Sequence, residues 1–419
     1  MSKLKIWIIN EYAGSPYHGM TYRHYYLARE WVRQGHKVTI ISASNSHFLR
    51  KRPRVKGIWK SELIDGIQYV WIKVLPYRSA HQKRRAIKWI EFAIKLFLLA
   101  VARPQRMSRP DVIISSPTAP FAVLPAAVLA SRFRVPWVFE VRDIWPLTLI
   151  ELGGFGSSHP VIRAMACCER FALTHADMLV SNLPDYQQYV REQGIRRPVL
   201  YVPNGVAQDA QPEKPEKPEK PGPASSPWPG VPPQAFVVGY AGTLGHANAL
   251  EHLIEAVRHL GETANIHAVL VGDGKNVVAL REQARDLPQV HFIPPVPKDE
   301  VPQILAGFDA AFIGLPKRKI FSYGVSPNKL FDYMKSGTAV IFAIETEVNA
   351  VQAAGCGVTV PPEDPAAIAE AIRSLAAMPV EARQVMGQRG REFVRREHDY
   401  ALLSQRFIQQ IKKTIQEQA

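Results

Sequence analysis

Q-P-E-K-P-E-K-P-E-K-P-G-P-A-S-S-P-W-P-G-V-P-P-Q, residues Gln211–Gln234, divides the chain in two. Proline at this density continues neither a helix nor a central strand and favours extended polyproline II geometry. The tract from Asp209 to Gln234 therefore reads as a linker. A chain of 419 residues also exceeds the roughly 250–300 at which one hydrophobic core stops growing, so two domains are expected. On both sides of the tract, apolar runs rich in β-branched residues alternate with longer segments of helical period, the pattern of parallel sheets flanked by helices. Upstream, Lys5–Asn10 reads as a strand, Thr21–Gln34 as a helix stopped by Gly35, and Val38–Ser42 as the next strand. Val112–Ser115, Trp137–Val141, Met178–Ser181 and Val199–Val202 are further buried strands. Downstream the order restarts with Phe236–Tyr240, and the chain closes in helices, the last over about 400–419. The expected domains are 1–208 and 235–399, each an α/β doubly wound fold.

Apolar residues make up 47% and charged residues 21%, ordinary globular usage that excludes a largely disordered chain. Three cysteines, two of them the adjacent Cys167 and Cys168, give neither a disulfide framework nor paired zinc spacing, which fits a reducing compartment. M-S-K-L-K-I-W-I-I-N runs straight into a strand without a secretory leader pattern, so a cytoplasmic protein is expected. The net charge of +15 is localised: residues 50–109 hold sixteen Lys or Arg against three acidic residues. Within this block Ala86–Ala102 reads as a helix, too short and too charged to span a bilayer. Lys83, Arg84, Arg85, Lys88 and Lys95, with Trp89, Phe92 and Phe97, suit either an anionic membrane surface or a packed helix with a solvated basic face. A nucleic-acid partner is the rival explanation of the charge, but the block contains no known nucleic-acid-binding module.

Ligands of doubly wound sheets bind where strands end, so the loops after strands hold the chemistry. Glu11–Gly19 carries Gly14, His18 and Gly19 between strand and helix, as a turn or as a ligand loop. In F-E-V-R-D-I-W-P, Phe139–Pro146, Arg142 and Asp143 either pair with each other or face the cleft and handle sugar hydroxyls. G-Y-A-G-T-L-G-H, Gly239–His246, and V-G-D-G-K, Val271–Lys275, are glycine loops between strand and helix, suited to backbone contacts with phosphate. Neither is a dinucleotide fingerprint, because Val277 stands where a third glycine would be needed. In F-S-Y-G-V-S-P-N-K-L-F-D-Y-M-K-S-G-T-A-V-I, Phe321–Ile341, Ser326 reads as an N-cap and Pro327 as the first helical residue. Amides, Asn328 and Lys329 would then meet phosphate, and Asp332 a ribose diol.

In this order, with R-Q-G-H-K-V-T-I-I and V-P-N-G-V at Val202–Val206, these segments resemble the family-4 retaining glycosyltransferases that build bacterial O-antigens, capsules and exopolysaccharides. The resemblance implies a GT-B fold, two Rossmann-like domains facing a cleft, with the final helix crossing back to the first. It implies that the second domain binds a UDP- or GDP-linked sugar through Gly242, Thr243, His246, Gly272, Asp273, Gly274, Lys275, Ser326, Asn328, Lys329 and Asp332. The acceptor, a polyprenyl-diphosphate-linked glycan, would be met by the first domain, with Gly14 and Gly19 in its loop and Asp143, Arg142 and His18 as catalytic candidates. Two departures stand out. Gly324 occupies the place of the first acid of the family's E-x7-E pattern, and Ala247, Asn248 and Ala249 stand where the glycine loop is usually followed by a lysine. Retention would need no protein nucleophile, and without a D-x-D motif no metal or other cofactor is expected. A sugar-nucleotide epimerase of the same fold is the nearest rival, and turnover of donor alone would reveal it.

Overall fold

A computed structural model describes residues 3–19, 22–76, 84–102, 107–208, 228–261, 265–297 and 300–418. The chain forms two compact units, Met1–Pro203 with Tyr400–Ala419, and Asn204–Asp399.

The first unit is built on eight strands: β1 (Lys5–Ile9), β2 (Lys37–Ala43), β3 (Trp59–Ile64), β4 (Ile67–Ile72), β5 (Val112–Ser115), β6 (Trp137–Val141), β7 (Met178–Ser181) and β8 (Val199–Tyr201). Their order is β3-β4-β2-β1-β5-β6-β7-β8, parallel except for the β3–β4 hairpin. Strands buried on both faces read as unbroken apolar runs, which is why K-I-W-I-I and V-I-I-S were legible. The hairpin was not expected. Its two-residue turn, Asp65 and Gly66 at φ +51° and +78°, is the Asp-Gly signal that favours a primed turn, and exposed Lys60 blunts the open edge. Helix α1 (Tyr22–Arg33) follows β1 and ends where Gly35 takes φ +84°. The helix Tyr400–Gln418 packs on it: Trp31 Nε1 donates to Ser404 O at 3.0 Å, and Tyr26 stacks on Tyr400 at 5.2 Å.

Helix α2 (Arg84–Ala102) packs on α3 (Val123–Phe133). Here the structure corrects the sequence reading. Lys88 is fully buried, and Trp89 and Phe92 are 7% and 1% exposed, so these three face the core rather than lipid. Lys88 Nζ lies 3.6 Å over the Tyr12 ring and donates to Glu11 O at 3.1 Å. Lys95 is bound to Glu91. Lys83 and the side chains of Arg84 and Arg85 lie outside the described residues.

The second unit is an all-parallel sheet of six strands: β9 (Phe236–Ala241), β10 (Ile266–Val271), β11 (Val290–Ile293), β12 (Ala310–Gly314), β13 (Ala339–Ala343) and β14 (Gly357–Thr359), in the order β11-β10-β9-β12-β13-β14. Alternate residues feed two cores. Val238 and Tyr240 join Leu253 and Ile372 in one, while Val237 and Val269 join Phe331 and Met334 in the other.

The unit begins earlier than residue 209. Asn204 binds Ser326, and Val206 is 6% exposed within the second core. It also reclaims the end of the supposed linker: Trp228 stacks on Phe308 at 5.5 Å and donates to Gly307 O at 3.3 Å. Residues 209–227 lie outside the described residues.

Candidate active site

In each sheet the strand order reverses once, and the crevice at that point, at the carboxyl ends, is the expected ligand position. In the second unit the reversal falls between β9 and β12. The loop after β9 is Gly242–His246, and the chain after β12 leads to the helix Asn328–Ser336. The next loop along, Gly272–Lys275 after β10, is pressed onto the first. Leu244 N donates to Asp273 O at 2.9 Å and Asn276 N to Leu244 O at 3.0 Å. A Cβ at Gly272 would lie 1.9 Å from Gly242 O, and one at Gly274 2.2 Å from Leu244 O. These glycines therefore serve backbone-on-backbone packing first.

Lys329 reaches this pair of loops from the helix. Its Nζ donates to Tyr240 OH and to Asn248 Oδ1, both at 2.6 Å. Asn248 in turn donates to Thr243 O at 2.9 Å, and Tyr240 OH donates to the same carbonyl at 2.8 Å. Burial lowers the Lys329 ammonium to about 7, and among the described residues no carboxylate pairs with it. One turn on, Tyr333 OH accepts from Ala241 N at 3.0 Å, fixing the helix against the end of β9.

The cap differs from expectation. The N-cap is Pro327, not Ser326, and no side chain caps the helix. Ser326 is instead held by Asn204, whose N donates to Ser326 Oγ at 3.0 Å and whose Nδ2 donates to Ser326 O at 2.6 Å. The leading amides, those of Asn328 and Lys329, precede the first intrahelical bond and need outside acceptors. His246 bonds Asn276 at 2.7 Å, and Asp273 Oδ1 accepts from Gly274 N. Lys275 and Asn328 are exposed and Asp332 is half-buried.

In the first unit the reversal falls between β1 and β5. Glu11, just after β1, is 2% exposed; its Oε1 accepts from Thr118 N and Ala119 N at 3.1 and 3.2 Å, and its Oε2 has no partner among the described residues. Asn45 after β2, Arg142 Nε after β6 and Asn182 Oδ1 after β7 are likewise buried and unpartnered. Arg142 turns to Thr118 at 3.5 Å, Asp143 is exposed, and the two form no ion pair among the described residues. His18 is placed differently. Its Nδ1 bonds Ser15 Oγ at 3.0 Å, its Nε2 lies 3.5 Å from Glu62, its ring lies 4.7 Å from that of Trp71, and burial lowers its pKa. Gly14 O accepts from Tyr69 OH, and Gly19, at φ +89°, lies against Arg50. This loop is fastened to the hairpin.

Sequence reasoning missed the charged cluster beneath these loops. Glu140, 1% exposed within β6, accepts from Arg23 Nε and Nη2 at 3.2 and 2.9 Å and lies 3.0 Å from His24 Nε2. Burial works to raise the Glu140 carboxyl, but Arg23 and His24 hold it well below the usual range, while burial lowers His24 to about 4. Arg23 also donates to Val202 O and Pro203 O at 2.8 and 2.6 Å, the end of the first unit's main segment. A lone glutamate in W-V-F-E-V was the available signal.

Two family models match in tandem, the Glycosyl transferase 4-like domain over residues 18–205 and Glycosyl transferases group 1 over residues 235–378. The chain belongs to the family-4 glycosyltransferases. A curated relative is WcaI of Escherichia coli (strain K12), named for a glycosyl transferase role in colanic acid biosynthesis. It is 23% identical over 362 residues, covering 84% of this chain and 87% of the relative. Among solved structures, sucrose-phosphate synthase from Thermosynechococcus elongatus superposes with a TM-score of 0.71 at 16% identity, covering 98% of this chain and 99% of the other. Anabaena Alr3699/HepE in complex with UDP and glucose gives 0.65 at 15% identity, with 98% and 99% covered. The fold is GT-B. Within this glycosyltransferase family the glycine at position 324 has a local cause: Gly324 sits at φ +90°, where any side chain is strained.

Proposed function

We propose that the enzyme transfers a sugar from a nucleotide diphosphate donor, with retention, to a lipid-linked glycan acceptor in the synthesis of a bacterial surface polysaccharide. The second unit binds the donor. The observation that carries this is Lys329, a cation without a carboxylate partner among the described residues, set against two stitched glycine loops and beside a helix N-terminus whose leading amides have no acceptor among them. Anions are stabilised at such an end, and a low-dielectric ammonium strengthens the effect. UDP is the proposed nucleotide, since Alr3699/HepE binds it, and WcaI is by name a colanic acid enzyme. Asp332 holds the ribose.

Negative charge develops on the departing diphosphate, and Lys329 with the leading amides of its helix stabilises it. Such preorganised electrostatics needs no nucleophile on the protein. The acceptor hydroxyl attacks on the face the diphosphate leaves, which retains configuration. Because the chain supplies its own cation there, turnover is proposed to be independent of added metal and of other cofactors. Buried Glu11 and Asn45 and half-buried Arg142, incompletely bonded at the carboxyl edge of the first sheet, suit the hydroxyls of a glycan, with exposed Asp143 holding the attacking one. The enzyme would work in the cytoplasm at the inner face of the cell membrane.

Titration calorimetry with UDP, GDP and their sugar conjugates tests the donor. Micromolar binding of one nucleoside diphosphate that Lys329→Ala weakens by about 10- to 150-fold is expected, and binding of none, or turnover of donor without acceptor, would reject the transferase reading. The anomeric signal of the product by NMR tests retention.

A further inference from the structure

Helix α2 has two apolar faces, and only one is used. Leu96 and Leu99, like Trp89 and Phe92, are turned to the core. Ile87, Ile90, Ile94, Phe97 and Leu98 are 51%, 51%, 57%, 46% and 44% exposed. With successive residues about 100° apart, these five fall within an arc of roughly 100° opposite the buried set. Helix α3, packed against α2, exposes Leu124 and Val128 as well.

Charge frames the stripe on one sign only. Arg78, Lys83, Arg84 and Arg85 precede it in the sequence and Arg103, Arg106 and Arg109 follow, and between residues 66 and 110 the one acidic residue is Glu91. Glu91 is already satisfied, its Oε1 by Lys95 Nζ at 2.5 Å and its Oε2 by Leu75 N at 2.6 Å. The helix therefore offers exposed apolar side chains within a stretch of sequence whose charge is almost wholly basic. No helix among the described residues is long and apolar enough to cross a membrane, and α2 is fixed to its unit through Lys88 and Trp89.

We propose that the stripe Ile87, Ile90, Ile94, Phe97 and Leu98 docks the first unit in the plane of an anionic lipid surface. An amphipathic helix of this kind buries its apolar face at the headgroup boundary, while flanking Lys and Arg meet the negative surface potential. A second copy of the chain is the less favourable occupant, since a two-fold contact through this face would set basic flank against basic flank. The inference rests on the lipid-linked acceptor for its purpose but not for its test.

The full chain is sedimented with vesicles of neutral phosphatidylcholine, and of phosphatidylcholine with anionic phosphatidylglycerol, at low and high salt. UDP affinity and sedimentation velocity are measured on the same samples. Wild type is expected to bind anionic vesicles and to lose most of that binding at high salt. A variant with Ile90→Gln, Ile94→Gln and Phe97→Gln is expected to bind at least tenfold more weakly, with UDP affinity unchanged because these side chains lie on the solvent-facing side of a helix in the other unit. A second variant, Lys83→Gln with Arg84→Gln and Arg85→Gln, is expected to lose the preference for anionic lipid. Vesicle binding without UDP binding leaves the docking face standing and removes the donor reading. Equal vesicle binding by wild type and the apolar triple variant overturns the proposal. Self-association of wild type, lost in that variant and without vesicle binding, also overturns it and assigns the face to a second copy.

Discussion

The two sheets share a topology and differ in what they bury. Among the described residues the first unit buries Glu11, Arg23, Glu30, Lys88, Glu140 and Glu169, whereas the buried polar residues of the second are amides, hydroxyls and one imidazole. Burying a charge is costly unless it is paired, so the first unit commits part of its interior to mutual neutralisation. The second keeps its interior neutral and holds Lys329 half-buried at the edge, where the proposed diphosphate would complete it. Around Glu140 the first unit's charge is structural scaffolding beneath the loops; in the second unit the cation at the edge is the one proposed to meet the ligand.

The sharpest way to break this contrast is to remove one buried polar side chain from each interior, charged in the first and neutral in the second. Glu140→Ala strands Arg23 and is expected to lower the unfolding free energy by about 3–5 kcal/mol in urea titration. Asn349→Ala in the second unit removes a cap accepting from Val351 N and Gln352 N and is expected to cost only about 1 kcal/mol. Equal losses would dissolve the distinction. The pH dependence has a definite sign. Glu140 is held low when folded, so its contribution is present above the ordinary carboxylate range and lost as pH falls through its folded value. His24, lowered to about 4 from 6.5, acts in the same direction, with stability lost as pH falls from 6.5 towards 4.

Glu169 sharpens the comparison with the opposite sign. Burial raises its carboxyl to about 8, although Tyr189 OH, 2.9 Å away, works to lower it. Its stabilising contribution is complete below 4.5 and is lost as pH rises through 8. Glu169→Gln is therefore expected to remove a loss on the order of 4 kcal/mol spread between pH 4.5 and 8, seen as a flatter Tm across that range.

Asp143→Asn separates the units functionally. Exposed at the end of β6, it is expected to lower kcat by about 100-fold, while UDP affinity, a property of the other unit, stays within error. An unfolded variant would instead place Asp143 with the scaffold.

Legibility in the sequence follows the same division. The second unit was readable down to its loops because glycine, proline and a helix start have local causes: Gly272 and Gly274 are demanded by backbone contact, and S-P-N-K marks a turn into a helix. The first unit was readable as strands but not as a network. Arg23, Glu140 and Pro203 meet only in three dimensions, across separations of 117 and 180 residues. Helix α2 misled for a related reason. Its sequence is apolar on two faces, and periodicity does not say which one the core takes. The β3–β4 hairpin, by contrast, carries a local signal in Asp65-Gly66, a dipeptide that takes the positive φ values of a two-residue turn.

Lys329→Ala is expected to weaken UDP binding by about 1.5–3 kcal/mol, the range for hydrogen bonds to a charged group. Burial lowers the Lys329 ammonium to about 7, so its charge responds to pH near neutrality. A diphosphate favours the charged form, so binding takes up a proton, and affinity should fall as pH rises above 7, towards tenfold per unit. Calorimetry in buffers of different ionisation enthalpy reads that proton directly. Lys329→Met should abolish the pH slope, and a slope that survives would assign the proton to another group.

The smallest expected effect tests whether the ligand's unit is organised by neutral contacts alone. Asn204 is the first residue of the second unit, and it grips Ser326 twice, once through its backbone amide and once through its side chain. Its own carbonyl lies 2.9 Å from His398 Nδ1, and His398 stacks on Phe331 at 4.1 Å, two residues beyond Lys329. Asn204 therefore positions the turn that aims the leading amides, without itself meeting the ligand. Asn204→Ala leaves the backbone bond and removes the side-chain one, so the expected loss in UDP affinity is about 0.5–1.5 kcal/mol, the net worth of one neutral hydrogen bond. A merely structural residue would lower Tm and leave the affinity of the folded fraction unchanged. A positioning residue shifts Kd in protein that is still fully folded, and it does so additively with Asp332→Ala, since the ribose and the phosphate are then held by independent groups. Unchanged Kd in folded Asn204→Ala would confine the pair to stability, and the neutral interior of the second unit would then have no part in aiming the charge at its edge.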